Sequence, residues 1–183
     1  MYNANDITFR KLEEKDLKLM YKWLNTDFVI EWYDKKGSSF EEVSKKYLPR
    51  IRGEQPTFPF VILCNKMDIG YIQTYMIEDY PEYSQYVQTG ERAAGLDLFI
   101  GEKEFIHIDL GKQILMKFLS EYVFDLNDAV SCIIGPEPKN KAAIRAYEKA
   151  GFIYLKTIQV PDEDEPEYLM RFGKNYLVCP LEN

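Results

Sequence analysis

Residues 138–152 read PKNKAAIRAYEKAGF and form the strongest structural signal in the chain. Asn140 is a favoured N-cap residue, and Gly151 is the residue type that most often follows the last turn of a helix. The pattern therefore predicts a short helix over residues 140–150. It places Asn140 at the start of that helix and Tyr147 about two turns later.

Strands and helices alternate around this helix. Residues 94–100 and 130–134 are apolar and strand-like, and a helical repeat of apolar side chains follows Gly111, between them. This strand, helix, strand, helix order predicts at least one parallel crossover. Residues 152–160 and 168–172 supply closing strands.

The N-terminal half predicts further elements of both kinds. Residues 7–10 predict a strand, and helices are expected from about residue 14 and over residues 39–51, the second capped by Ser39. Two strand-like runs, 58–64 and 69–76, flank a hairpin loop at residues 65–68. Residues 78–92 show no sustained period and predict a long surface loop.

Composition restricts the class of protein. The chain has 183 residues, of which 46% are hydrophobic, and this predicts one domain over residues 1–183. The absence of a long apolar run or a signal peptide favours a cytoplasmic protein with no membrane partner. The three cysteines are widely spaced, so buried free thiols are expected, with no metal. A net charge of −7 argues against a nucleic-acid partner and favours cationic ligands. A monomer and a homodimer are both compatible with these features.

The helix motif resembles the last motif of GNAT acetyltransferases, Asn-x-x-Ala-x-x-x-Tyr-x-x-x-Gly-Phe. Further landmarks, in the same order along the chain, are similar to those of aminoglycoside 6'-N-acetyltransferases: Glu31-Trp32-Tyr33, Tyr47-Leu48-Pro49, Ile69-Gly70-Tyr71-Ile72-Gln73 and Gly95-Leu96-Asp97. The resemblance implies an α/β (α+β) GNAT fold, with a mixed, mostly antiparallel sheet flanked by helices. The sheet would be splayed between the strands of Asp97 and Ile133, and acetyl-CoA would bind in the split.

The resemblance also implies catalytic roles. Attack of an amine on a thioester needs a neutral amine and a proton for the departing thiolate. Asp97 would orient and deprotonate the amine, although an acid on a strand edge can simply face solvent. Tyr147 would protonate the CoA sulfur, although a tyrosine at this spacing can also be a core residue.

The same resemblance assigns a set of cofactor contacts. Main-chain groups of Leu98, Phe99 and Ile100 would pair with the pantetheine arm, because a splayed strand has N–H and C=O groups that need partners. Asn140 would hydrogen-bond the same arm or serve only as a helix cap.

The expected pyrophosphate loop, residues 107–112, departs from the family pattern. Asp109 stands where a glycine is expected, before Leu110, Gly111 and Lys112. Its carboxylate would repel phosphate or cap the following helix, and Lys112 could offset the charge. His107 is expected to lie on the surface.

Substrate contacts are expected from aromatic and acidic side chains. Trp32 and Tyr33 form either a substrate wall or a packed connection between helices. The family resemblance adds Tyr47 and Gln73, and acidic residues of two loops would form a rim that attracts a polycation: Glu78, Asp79, Asp162 and Glu163, with Glu165 and Glu167 nearby. Each acid can equally be a solvated loop residue. Gly135 stands where some relatives carry an acidic substrate contact.

Three functions remain open on the sequence. The first is an aminoglycoside 6'-N-acetyltransferase that confers antibiotic resistance. The second is a GNAT enzyme that acetylates another small amine or a protein terminus. The third is a non-catalytic GNAT-fold module, in which Asp109 has abolished CoA binding.

Overall fold

The computed structural model describes residues 4–33, 36–106, 108, 110–126, 128–161 and 163–177. Seven strands form a mixed sheet in the order β1-β2-β3-β4-β5-β7-β6. The predicted mixed, mostly antiparallel sheet is confirmed. Two compact units divide the chain: Met1–Thr74 with Leu98–Leu110, and Tyr75–Asp97 with Gly111–Asn183. The assignment of one domain stays a prediction.

The first unit contains three N-terminal strands and three helices. The strands are β1 (Ile7–Lys11), β2 (Thr57–Cys64) and β3 (Met67–Met76, which ends in the second unit), and the helices are α1 (Leu17–Leu24), α2 (Asp27–Ile30) and α3 (Phe40–Ile51). The hairpin between β2 and β3 is confirmed, but its turn contains two residues rather than four. Asn65 and Lys66 both have positive φ angles, 49° and 68°, as a tight turn matched to the strand twist requires.

Helix α3 starts where its sequence predicts. The Ser39 hydroxyl accepts a hydrogen bond from the Glu42 N–H at 3.2 Å, and the Glu42 carboxylate accepts one from the Ser39 N–H at 2.7 Å. This reciprocal capping box satisfies two amides that the first turn leaves unpaired. The helix then buries Val43 and Tyr47 against the core of the first unit.

The second unit contains the remaining elements. The helices are α4 (Pro81–Val87), α5 (Gly111–Phe118), which continues through a π-helical turn (Leu119–Val123) into α6 (Phe124–Leu126), and α7 (Lys141–Ala150). The strands are β4 (Ala93–Ile100, which ends in the first unit), β5 (Ser131–Ile134), β6 (Ile153–Ile158) and β7 (Glu167–Gly173).

The prediction of a long loop over residues 78–92 is wrong. Residues Ile77–Asp79 form a 3-10 turn, and α4 follows with Pro81 in its first turn. Val87 is buried, and the rings of Tyr83 and Tyr86 pack against the same apolar cluster. A helix whose apolar face consists mainly of tyrosines shows only a weak hydrophobic period, which explains the error.

The pairing of β4 with β5 is short. It is parallel and joins Ala93 to Ser131, Ala94 to Cys132 and Gly95 to Ile133. Strand β4 continues to Ile100, whereas β5 ends at Ile134. The ladder therefore stops before Asp97, in agreement with the expected splay between the strands of Asp97 and Ile133.

Helix α7 confirms both predicted caps. The Asn140 side chain accepts a hydrogen bond from the Ala143 N–H at 3.0 Å, and Gly151 has φ 98°, in the left-handed region. Gly151 and Phe152 donate their N–H groups to carbonyls of the last turn. The expected free thiols are found at Cys64 and Cys132, both buried, and Cys179 lies outside the described residues.

Candidate functional site

Asp97 lies on β4 in the second unit and influences the titration of three other side chains. It lies two residues beyond the last β4–β5 pair and is partly buried. Burial, and then the negative charge of Asp97, raises the pKa of the Cys132 thiol and of the Tyr75 and Tyr147 phenols. The Asp97 carboxylate therefore disfavours ionisation of one side chain on each of β3, β5 and α7.

Tyr147 is a phenol that holds its proton tightly. Its ring lies 6.1 Å from that of Phe152 and is partly buried. Because burial and the Asp97 charge both disfavour the phenolate, the pKa of Tyr147 lies above its ordinary value and the group is protonated at neutral pH. A phenol that carries its proton at neutral pH can donate that proton to a departing anion.

Gly95 creates space for a tyrosine on the neighbouring strand. A β-carbon at Gly95 would collide with the ring of Tyr75. That ring in turn contacts Tyr80 edge-to-face, with 5.1 Å between the centroids. The glycine of the Gly95-Leu96-Asp97 landmark therefore has a packing role, which sequence reasoning did not identify.

Glu167 has an environment that the sequence did not reveal. It is the first residue of β7, and its carboxylate accepts a hydrogen bond from the Tyr83 hydroxyl at 2.7 Å. A β-carbon at Gly135 would collide with this carboxylate. Gly135 stands where some relatives carry an acid, and in this structure the carboxylate of Glu167, from β7, lies beside it.

The pKa of Glu167 is raised to about 7. Burial is the largest cause, and the charges of Asp97 and Glu163 add to it, while the hydrogen bond from Tyr83 acts in the opposite direction. Glu167 therefore exists as a mixture of acid and carboxylate near neutral pH. No sequence pattern predicted this, because the cause lies in side chains distant along the chain.

The start of α5 approaches α7 closely. A β-carbon at Gly111 would lie 3.4 Å from the β-carbon of Ala146, which is an ordinary van der Waals contact. Gly111 and Lys112 form the first turn of α5, where backbone amides lack helical partners. Leu110 is buried, and His107 and Asp109 lie outside the described residues.

Aromatic residues of the first unit form a packed group. Phe99 packs against the rings of Tyr33 and Tyr71, with centroid distances of 4.7 and 5.5 Å. Tyr71 also contacts Tyr47, which is fully buried, whereas Trp32 is 37% exposed. Tyr47 therefore has no surface for a substrate in this structure, whereas Trp32 is exposed and Tyr33 is partly buried.

Gln73 is held by two donors. Its side-chain oxygen accepts hydrogen bonds from the Tyr71 hydroxyl at 2.6 Å and from the Arg50 guanidinium at 2.9 Å. Arg50 also lies over the ring of Tyr47, 5.3 Å from its centroid. Gln73 is 5% exposed, and Arg50 was not predicted as a site residue.

The other predicted contacts that the structure describes lie at the surface or on strand β4. Glu78 forms an ion pair with Arg92 at 3.2 Å, and Asp79 and Glu163 are exposed. Asp162 lies outside the described residues. Leu98 and Ile100 are partly buried, and Gly70 of β3 has no space for a side chain against the backbone of Phe99 and Ile100.

Two general features concern the described part of the chain. It contains no group of three or more His, Cys, Asp or Glu side chains arranged to hold a metal ion. Among its helices, none combines the length and the apolar character needed to cross a membrane.

Comparison with known proteins identifies relatives over most of the chain. Residues 13–160 match the acetyltransferase (GNAT) domain model. The chain is 30% identical over 163 residues to an aminoglycoside N(6')-acetyltransferase type 1 of Klebsiella pneumoniae, covering 87% of this chain and 81% of that protein.

Solved structures agree with this similarity. The structure of AAC(6')-Ib in complex with paromomycin and acetyl-CoA superimposes with a TM-score of 0.84 at 26% identity, covering 97% of this chain and 99% of that one. Spermidine N-acetyltransferase from Vibrio cholerae, in complex with CoA and spermine, gives a TM-score of 0.74 at 17% identity and covers 96% and 99%. At that identity the second likeness concerns the fold alone.

Proposed function

Because the chain belongs to the GNAT acetyltransferase family, we propose that it transfers the acetyl group of acetyl-CoA to an amine of an aminoglycoside, the 6'-amine being the acceptor. The observation that carries the proposal is the match of residues 13–160 to the acetyltransferase domain, together with the end of the β4–β5 pairing at Gly95, two residues before Asp97. The second unit holds both a carboxylate able to orient an amine, Asp97, and a phenol able to protonate a thiolate, Tyr147.

The roles of these two residues follow from the needs of acyl transfer. Acetyl-CoA supplies an acetyl group on a thioester. Asp97 orients the substrate ammonium and takes its proton, directly or through water, so that the nitrogen lone pair can form the new N–C bond. Tyr147 donates its phenolic proton to the sulfur as the C–S bond breaks. Solvent then removes the proton from Asp97 and returns one to Tyr147.

Cofactor binding is assigned to residues with suitable backbone geometry. The β4–β5 ladder stops at Gly95, which supports pairing of the pantetheine amides with the main chain of Leu98, Phe99 and Ile100. The first turn of α5, with Gly111 and Lys112 after Asp109 and Leu110, offers amides and a cation to the pyrophosphate. Asn140 is engaged as a cap through its side-chain oxygen, so we assign its amide nitrogen to the pantetheine arm.

The aminoglycoside assignment rests on charge and on the relatives. The net charge of −7 and the acids near Asp97 favour a polycation. Trp32 and Tyr33 provide exposed aromatic surface in the first unit, and Glu78, Asp79, Asp162 and Glu163 are the proposed rim. The cytoplasm stays the predicted compartment.

Mass spectrometry of kanamycin after incubation with acetyl-CoA tests the proposal. We expect one added acetyl group on the 6'-nitrogen, located by fragmentation, and none when acetyl-CoA is omitted. Spermidine and an N-terminal peptide serve as competing acceptors. Faster acetylation of either competitor, with kanamycin unmodified, would overturn the substrate assignment.

A further inference from the structure

Glu167 is held in a defined position at the end of β5. The Tyr168 N–H donates to the Pro136 carbonyl at 2.8 Å, which extends the pairing of β7 past the last residue of β5. The Glu167 side chain then occupies the space that a side chain at Gly135 would take. The Tyr83 hydroxyl, from α4, fixes one carboxylate oxygen.

The electrostatic surroundings of this carboxylate are unfavourable for its charge. The titratable groups that act on it are Tyr83 from α4, Asp97 from β4 and Glu163 from the segment before β7, and Tyr75 from β3 also shares its field. In the part of the chain that the structure describes, no lysine or arginine forms an ion pair with Glu167; Lys139 pairs instead with Glu165 at 2.8 Å. A partly buried carboxylate among like charges is costly unless a cation is supplied.

We propose that Glu167 is a specificity-determining residue that pairs with a second ammonium group of the amine substrate, next to the amine that Asp97 engages. The inference rests on the proposed function, since it concerns the same site. It predicts selectivity for acceptors that carry at least two amines over those that carry one. The second ammonium group of the substrate then provides the positive charge that Glu167 does not receive from a lysine or arginine of the described residues.

This pairing couples substrate binding to the release of a proton from Glu167. In the free protein the pKa of Glu167 is about 7, and an ammonium beside the carboxylate lowers it. Binding of a polyamine at pH 6 should therefore release clearly more protons than binding at pH 8. Substrate affinity should rise between these pH values, because the ionised carboxylate is the form that binds.

A purely structural role for Glu167 makes different predictions. If the residue served only to accept the Tyr83 hydrogen bond, Glu167→Gln would have little effect, because the amide oxygen can still accept that bond, and Tyr83→Phe would have the larger effect. Under the proposal Glu167→Gln abolishes the proton release and weakens polyamine binding about tenfold, whereas Tyr83→Phe keeps the charge and the release. Glu148→Gln, an exposed change on α7 with the same loss of charge, controls for net charge.

The experiment is isothermal titration of the CoA-bound protein with kanamycin and with spermidine, at pH 6 and 8. Each titration is made in two buffers of different ionisation enthalpy, which gives the number of protons released. Acetylation of both amines is measured in parallel. Acetyl-CoA affinity of each variant, together with its melting temperature, confirms that the variant is folded.

The outcomes separate the two proposals. Proton release that is lost in Glu167→Gln but kept in Tyr83→Phe and Glu148→Gln supports the inference, even if only spermidine binds and the aminoglycoside assignment fails. Acetylation of kanamycin with equal affinity and equal proton release in Glu167→Gln overturns the inference and leaves the proposed function standing. Absence of binding by either amine overturns both.

Discussion

Glu167→Gln should stabilise the free protein, and the gain should grow with pH. The folded-state pKa of about 7 lies above the ordinary value of 4.5, so the folded protein holds this proton more tightly than the unfolded chain does. The stability that comes from this proton is present below about pH 4.5 and is lost as the pH rises through 7. The difference of 2.5, at 1.36 kcal/mol per pKa unit, sets a limit of about 3.4 kcal/mol, and partial exposure reduces it to about 2–3 kcal/mol.

Urea unfolding, followed by tryptophan fluorescence at pH 4.5, 7 and 8.5, measures this gain. Glu167→Gln should equal the wild type at pH 4.5 and exceed it by about 2–3 kcal/mol at pH 8.5, which is roughly 5–10 °C in melting temperature. Taking the difference between variant and wild type cancels groups that titrate alike in both. Glu148→Gln should show no such trend. A difference that is the same at all three pH values would show that Glu167 is not in a proton-retaining environment.

Four further changes test the rest of the site. Tyr147→Phe should lower kcat by about 10–100-fold with acetyl-CoA affinity nearly intact, because only the proton donor is lost. The control Tyr154→Phe, at an exposed tyrosine, should leave kcat unchanged, and equal kcat in both variants would make Tyr147 a packing residue. Asp97→Asn should impair acetylation far more than folding, and should also lower the pKa of Glu167, because a like charge is removed; pH-dependent melts detect the second effect. Asp109→Gly should tighten CoA binding in calorimetry and slightly lower the melting temperature, and weaker CoA binding would show that the aspartate helps to build the loop. Ser39→Ala should cost about 1 kcal/mol in urea unfolding without a change in acetylation, because it removes half of a capping box.

Local signals in the sequence were sufficient for much of the fold. Asn140 and Gly151 set the ends of α7, and Ser39 with Glu42 set the start of α3, because a cap depends on residues three or four apart. The hairpin of β2 and β3 was likewise predicted from the sequence, although the predicted turn was two residues longer than the observed one. The loop assigned to residues 78–92 failed, because α4 relies on tertiary burial of tyrosines that carry little hydrophobic period.

The candidate site divides in the same way. The motif around Tyr147 and the Gly95-Leu96-Asp97 landmark indicated the chemistry, since family motifs are local in sequence. The environment of Glu167 was not readable, because β7 carries it to Gly135 and Tyr83, which lie 32 and 84 residues away along the chain. A pKa depends on burial and on charges in space, and the hydrogen bonds of the sheet decide which charges those are. The sequence by itself determined α3 and α7 with their caps, and the motif residues. Only the tertiary structure decided that α4 is a helix and which carboxylates influence one another.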